Sequence, residues 1–143
     1  MASVMRDDIM INAMVSTAKR TDQIKLFGAG TCRPILGIND LCRAVAKIIS
    51  HDEDARGFYN LASFNTTSSE TAHAVSEIVN VPVKVIKDDG NASSYSFAIS
   101  TEKFKDTFDF SFQDSIDSIC REISTKYTSI TLTNRREPKP YEL

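Results

Sequence analysis

The 143-residue sequence predicts an α/β domain of short strands and about five helices, and three observations carry that expectation. Apolar residues recur at helical spacing in several separate stretches, brief apolar runs bounded by turn residues lie between them, and Thr67 with Glu70 forms a capping-box signature ahead of one helix. In chain order, residues 8–20 place Ile9, Ala13, Met14 and Ala18 near one helical face, after acidic residues that suit the positive end of the helix dipole. Residues 24–27 and 34–38 read as short strands, separated by a turn at Gly28 and Gly30. Residues 40–50 return to helical period through Leu41, Ala44, Val45, Ile48 and Ile49, with Asn39 or Asp40 as the cap. Residues 57–61 read as a strand, and the helix behind the capping box carries Ala74, Val75, Ile78 and Val79. A strand over 82–86, a loop over 87–94, an alternating strand over 95–99 and a short helix over 101–108 follow. Residues 114–127 close the pattern as a helix with Ile116, Ile119, Cys120 and Ile123 on one face. The charged, proline-containing end is expected to be a mobile tail or a segment that orders on a partner.

Composition narrows the function classes. Net charge is -2 and the basic residues are dispersed, so no field is expected to draw nucleic acid or an anionic membrane. No stretch approaches the ~20 apolar residues of a membrane span, and the start lacks a secretory h-region, which makes the cytoplasm the expected location. Cys32, Cys42 and Cys120 have no metal-binding spacing and read as buried free thiols in a reducing compartment. His51 and His73 read as solvated or helix-surface residues, and the acidic run at 52–54 as a solvated turn. No internal repeat and no G-x-S-x-G nucleophile elbow is present.

The run IKLFGAGTCRPILGINDL, residues 24–41, holds the strongest candidate site. Arg33 presents a fork of donors suited to phosphate. A dinucleotide-binding fingerprint fails here, because Arg33 stands where the third glycine belongs and Pro34 leads into another apolar run. No phosphate-binding loop of the G-x-x-x-x-G-K-[ST] type occurs either. Lys25 and Phe27 share one face of their strand.

The order of DIMIN, LFGAGTCRPILGINDLCRA, GFYNLAS, a Thr-started helix, SYSFAISTEKF and FDFSF resembles the C-terminal half of extended short-chain dehydrogenase/reductases, the NAD-dependent epimerase/dehydratase family. The resemblance spans nearly the whole chain and implies a substrate-binding lobe over residues 1–128, a partly disordered strand or tail over 129–143, and absence of the Rossmann cofactor domain. It implies that Arg33 grips the diphosphate of a nucleotide-sugar, that Asn12 reaches phosphate or sugar, and that the strand of Lys25 and Phe27 flanks the nucleobase, with Phe27 able to stack on it. Asp40 matches an acidic residue at a helix start, where capping is the expected role.

Departures from the family limit the chemistry. A second arginine expected before Tyr95 is replaced by the stretch 88–91 (DDGN), and Ser94 stands where other relatives carry an arginine. The family's Tyr-x-x-x-Lys pair is missing: Tyr59, Tyr95 and Tyr127 have Ser63, Ile99 and Thr131 at that spacing, and Tyr141 is too near the end. The resemblance therefore implies no cofactor bound by this chain alone, NAD or NADP for the complete enzyme, and a Rossmann domain supplied in cis or in trans. Three functions are compatible with these residues: the nucleotide-sugar-binding part of an epimerase, dehydratase or reductase; a noncatalytic nucleotide-sugar sensor; or a partner subunit that keeps the fold without a ligand.

Overall fold

A computed structural model describes residues 9–51, 54–86 and 95–129. Among the described residues five helices and four short strands follow in the order α1 Met10–Thr21, β1 Ile24–Leu26, β2 Cys32–Ile35, α2 Ile38–Ile49, β3 Phe64–Thr67, α3 Ser68–Val79, β4 Val83–Val85, α4 Glu102–Phe108 and α5 Ile116–Ser129. The α/β class and the helix number agree with the sequence expectation. The acidic residues ahead of α1, the loop over 87–94 and the tail beyond 129 lie outside the described residues.

Among the described residues the strands form two separate pairs. β1 and β4 run parallel with Lys25 opposite Lys84, and β2 and β3 run antiparallel with Arg33 opposite Thr66. Ile24 and Leu26 point from β1 into a core completed by Ile11, Val15 and Ala18 of α1, Ala72 and Val75 of α3, and Cys120 of α5. Ile116, Ile119 and Ile123 pack against that core, as their spacing predicts. The buried line of α1 is Ile11, Val15 and Ala18, rotated from the expected one, and Ile9 is exposed. A second core gathers Ala44, Phe104, Phe108 and Phe110, with Tyr59, Leu61 and Phe112 packed on it.

Local signals set several element ends. Thr67 accepts from the Glu70 N–H at 3.1 Å while the Glu70 carboxylate accepts from the Thr67 N–H at 2.7 Å, so the predicted capping box starts α3. Ser115 and Ser118 exchange the same pair of bonds at 2.9 and 3.1 Å ahead of α5.

The start of α2 departs from the expectation. The helix begins at Ile38, so the strand expected over 34–38 ends at Ile35, and Asn39 and Asp40 lie inside the first turn. Neither caps it; Gly37 holds the N-cap position. The orphan N–H groups are satisfied from a distance instead: the Gly37 N–H donates to Ser63 Oγ at 3.0 Å and the Asp40 N–H to Asp114 Oδ2 at 3.0 Å. Asp114 sits so close over the turn that a Cβ on Gly37 would overlap its carboxylate.

Three further expectations are corrected. Residues 57–61 belong to no ladder among the described residues, and the strand lies later, at Phe64–Thr67. Tyr59 packs rather than pairs, its ring edge-on to Phe104 and Phe108, while Phe58 is exposed. The segment 95–99 is likewise not a strand; it is held to β2 and β3 largely by side chains. On α2 only Ala44 of the predicted apolar face is buried, and Val45, Ile48 and Ile49 are exposed.

Candidate functional site

β1 alternates buried and exposed residues, so the side chains of Ile24 and Leu26 enter the core and those of Lys25 and Phe27 stand on the opposite, exposed face. The chain then reverses at Gly28, whose φ of 54° lies in the left-handed region, and the Thr31 N–H closes the turn on the Gly28 carbonyl at 2.9 Å. This turn is pinned to α3, because the Ser68 and Ser69 N–H groups donate to the Thr31 and Ala29 carbonyls. Met10 in the first turn of α1 reaches Ser68 through its sulfur, 3.7 Å from Ser68 Oγ, and Asn12 on the same helix is half-buried.

Arg33 follows on β2, half-buried. The segment behind it is fastened by an unusual set of bonds: Cys32 N–H donates to Ser96 Oγ at 2.9 Å, and the Phe97 N–H donates to the Cys32 carbonyl at 3.1 Å. The Asn65 amide both donates to the Ile99 carbonyl and accepts from the Ile99 N–H, each at 3.0 Å. These bonds lay Phe97 under the guanidinium, with Cζ 5.6 Å from the ring centroid. Arg33 Nη1 donates to the Cys32 carbonyl at 3.1 Å, and no carboxylate among the described residues pairs with it. The planar cation is thus held from one side while most of its five N–H donors stay open to an anion.

The structure therefore joins Arg33 to Phe97, which the sequence did not single out, and sets Lys25 and Phe27 on the exposed face of β1, in the other strand pair, and Asn12 on α1. Tyr95, Phe97 and Phe27 are all substantially exposed. The signal for Phe97 in the sequence is only the period-two placement of Tyr95, Phe97 and Ile99; the side-chain bonds that aim it span 64 and 34 positions.

Asp40, expected to cap a helix, is instead buried. Its Oδ1 accepts from Arg43 at 2.6 Å and from the Gln113 N–H at 2.9 Å, and its Oδ2 from Ser63 Oγ at 2.7 Å and the Asp114 N–H at 2.8 Å. Burial pushes its pKa up, but the Gln113 N–H, the Ser63 hydroxyl, the Asp114 N–H and the Arg43 cation outweigh that and hold the carboxyl below its usual range. Every lone pair is used by the chain itself, so Asp40 is a structural hub.

The remaining candidates carry no site. Cys120 is buried as expected, its thiol pushed up to about 11 by burial and by nearby Asp117, whereas Cys32 is half-buried and Cys42 exposed, against the expectation of three buried thiols. His51 is not solvated: it packs edge-on to Phe108 at 4.8 Å. Among the described residues no group of three His, Cys, Asp or Glu side chains is placed to hold a metal ion, and no helix is long and apolar enough to cross a membrane.

The sequence matches no protein-family model and no curated protein significantly. Its fold does match solved structures. It is similar to UDP-N-acetylglucosamine 4-epimerase from Bacillus cereus, with a TM-score of 0.72 and 21% identity over 86% of this chain and 44% of that one. It is similar to dTDP-glucose 4,6-dehydratase from Bacillus anthracis, solved in complex with NAD, with a TM-score of 0.71 and 19% identity over 90% of this chain and 42% of that one. It is also similar to L-threonine dehydrogenase from Phytophthora infestans, with a TM-score of 0.70 and 12% identity over 90% of this chain and 44% of that one. The chain thus has the fold of one portion of these enzymes, in line with the sequence resemblance, and spans less than half of their length.

Proposed function

We propose that this chain is the nucleotide-sugar-binding portion of an NAD(P)-dependent sugar epimerase, dehydratase or reductase. The observation that carries the reading is Arg33, whose guanidinium lies over the Phe97 ring with Cζ 5.6 Å from its centroid and which is tied by a single main-chain bond, without a carboxylate partner among the described residues. A cation with no carboxylate partner among the described residues, beside the half-exposed ring of Phe97, offers charge-assisted donors for phosphate, and the exposed ring of Phe27 offers an apolar face for a base. Arg33 grips the diphosphate, Phe27 offers its ring to the base with Lys25 beside it, and Asn12 turns toward phosphate or sugar. The likeness to two enzymes named for nucleotide-sugar substrates supports this choice of ligand.

The redox step needs a nicotinamide and a proton-transfer tyrosine, and this chain has neither a glycine fingerprint nor a Tyr-x-x-x-Lys pair. In the proposal both come from a Rossmann domain, in cis or in trans, and NAD or NADP is held there. A noncatalytic subunit that completes such a site with another chain would bind the same ligand through the same residues.

Titration calorimetry of the 143-residue chain with UDP-glucose and dTDP-glucose, with L-threonine as the contrasting ligand, tests the reading. We expect one of the nucleotide-sugars to bind and Arg33→Ala to weaken it by about tenfold or more, the worth of a charge-assisted phosphate contact. Binding unchanged in the variant, or binding of threonine alone, would sink the proposal.

A further inference from the structure

Segment 95–99 borders β2, yet among the described residues one main-chain bond ties it there, from the Phe97 N–H to the Cys32 carbonyl. The Cys32 N–H finds a side chain instead, Ser96 Oγ at 2.9 Å. Cys32 thus turns both of its main-chain groups away from β3, and the alternation of an antiparallel pair turns those of Pro34 the same way. Proline has no N–H to give, so a ladder begun at Cys32 lacks a donor with which to continue at Pro34. Asn65, opposite Pro34 on β3, takes over. Its amide offers a carbonyl and an N–H as a peptide group does, and it pairs with both main-chain groups of Ile99, each at 3.0 Å.

Phe97 sits between these two attachments, at Ser96 and at Ile99, and its ring lies under the Arg33 guanidinium. We propose that Asn65 and Ser96 are positioning residues of the Arg33 site: they hold Phe97 beneath the cation and, through it, set how Arg33 meets phosphate. A free arginine side chain samples many rotamers and must give up that freedom when it grips an anion. A ring fixed beneath the guanidinium takes up part of this ordering before the ligand arrives, and the affinity gains accordingly. Asn65 and Ser96 are themselves exposed, so their bonds aim the segment without filling a core. The effect on binding rests on the nucleotide-sugar reading, whereas the hold on Phe97 does not.

Two readouts on the full chain test this. The first needs no ligand: the side-chain proton resonances of Arg33, displaced by the Phe97 ring current, are expected to move in Asn65→Leu and Ser96→Ala toward their positions in Phe97→Leu. Ser96→Thr, which keeps the hydroxyl, is expected to leave them at the wild-type positions, and this pair decides should Asn65→Leu misfold. The second is calorimetry with UDP-glucose and dTDP-glucose. Asn65→Leu and Ser96→Ala are expected to weaken binding about two- to fivefold, the worth of an exposed cation–π contact. Added to Arg33→Ala, Asn65→Leu is expected to cost nothing more, because the group it positions is already gone. Arg33 resonances that stay put in folded Asn65→Leu and Ser96→Ala overturn the inference, and so does a displaced resonance with unchanged affinity. Failure of the wild type to bind either nucleotide-sugar overturns the nucleotide-sugar reading instead, and the resonances still decide the hold on Phe97.

Discussion

Asp40 shows how one buried carboxylate can organise a chain. It ties α2 to Ser63 before β3 and to the backbone at residues 113 and 114, so its removal would strand two N–H donors and the Arg43 cation at once. Asp40→Ala is expected to cost roughly 3 kcal/mol in urea unfolding. The pH dependence follows from the sign of the shift. Because the folded carboxyl titrates below the unfolded value, its stabilisation is present above the ordinary carboxylate pKa of about 4 and is lost as pH falls through the folded value. Acid titration of stability should therefore be flatter below about pH 4 in Asp40→Ala than in the wild type. Equal slopes would show that the carboxylate is not held ionised by these partners.

At the level of elements, helix starts divide into local and remote kinds. α3 is capped by Thr67 and Glu70 from its own sequence, and the signature is legible because all its partners lie within three residues. α2 is capped by Ser63 and by Asp114, 26 and 74 positions away from the N–H groups they accept, so no local pattern can announce it. Gly37 is the position that makes this possible, since it alone leaves room for the Asp114 carboxylate. Gly37→Ala should displace Asp114 and cost about 1–3 kcal/mol, as overpacking does. In a double-mutant cycle with Asp114→Ala the two losses should fall well short of additive, because one change already removes what the other disrupts. Additive losses would mean that the glycine matters for another reason.

The whole molecule rests on two cores with different authors. The aliphatic core around Val15, Leu26 and Val75 is built from elements whose period is legible in the sequence, although α1 buries a line rotated from the expected one. The aromatic core is centred on Phe104, whose ring meets Tyr59, Phe108, Phe110 and Phe112 with centroids 4.7–6.1 Å away. It joins the unpaired segment at Tyr59, the short helix α4 and the irregular stretch after it, none of which has a ladder to hold it. Phe104→Ala should therefore cost about 3–5 kcal/mol and reduce near-ultraviolet circular dichroism beyond the loss of one ring. A loss under about 1 kcal/mol would show that these segments are held by other contacts.

Helical period, the capping box and the glycine turn were written locally, so the sequence by itself determined the α/β class, most helix positions, the order β1, turn, Arg33, and the exposed face shared by Lys25 and Phe27. Those features depend on steric and hydrogen-bonding preferences that act within a few residues. Tertiary structure alone decided that Tyr59 packs instead of pairing, that Asp40 is enclosed, that Val45, Ile48 and Ile49 of α2 are left bare, and that Phe97 lies beneath Arg33. The physical reason is common to all four. Apolar and polar side chains state what they need, burial or a partner, but which distant backbone or ring meets that need is fixed only when the whole chain closes on itself.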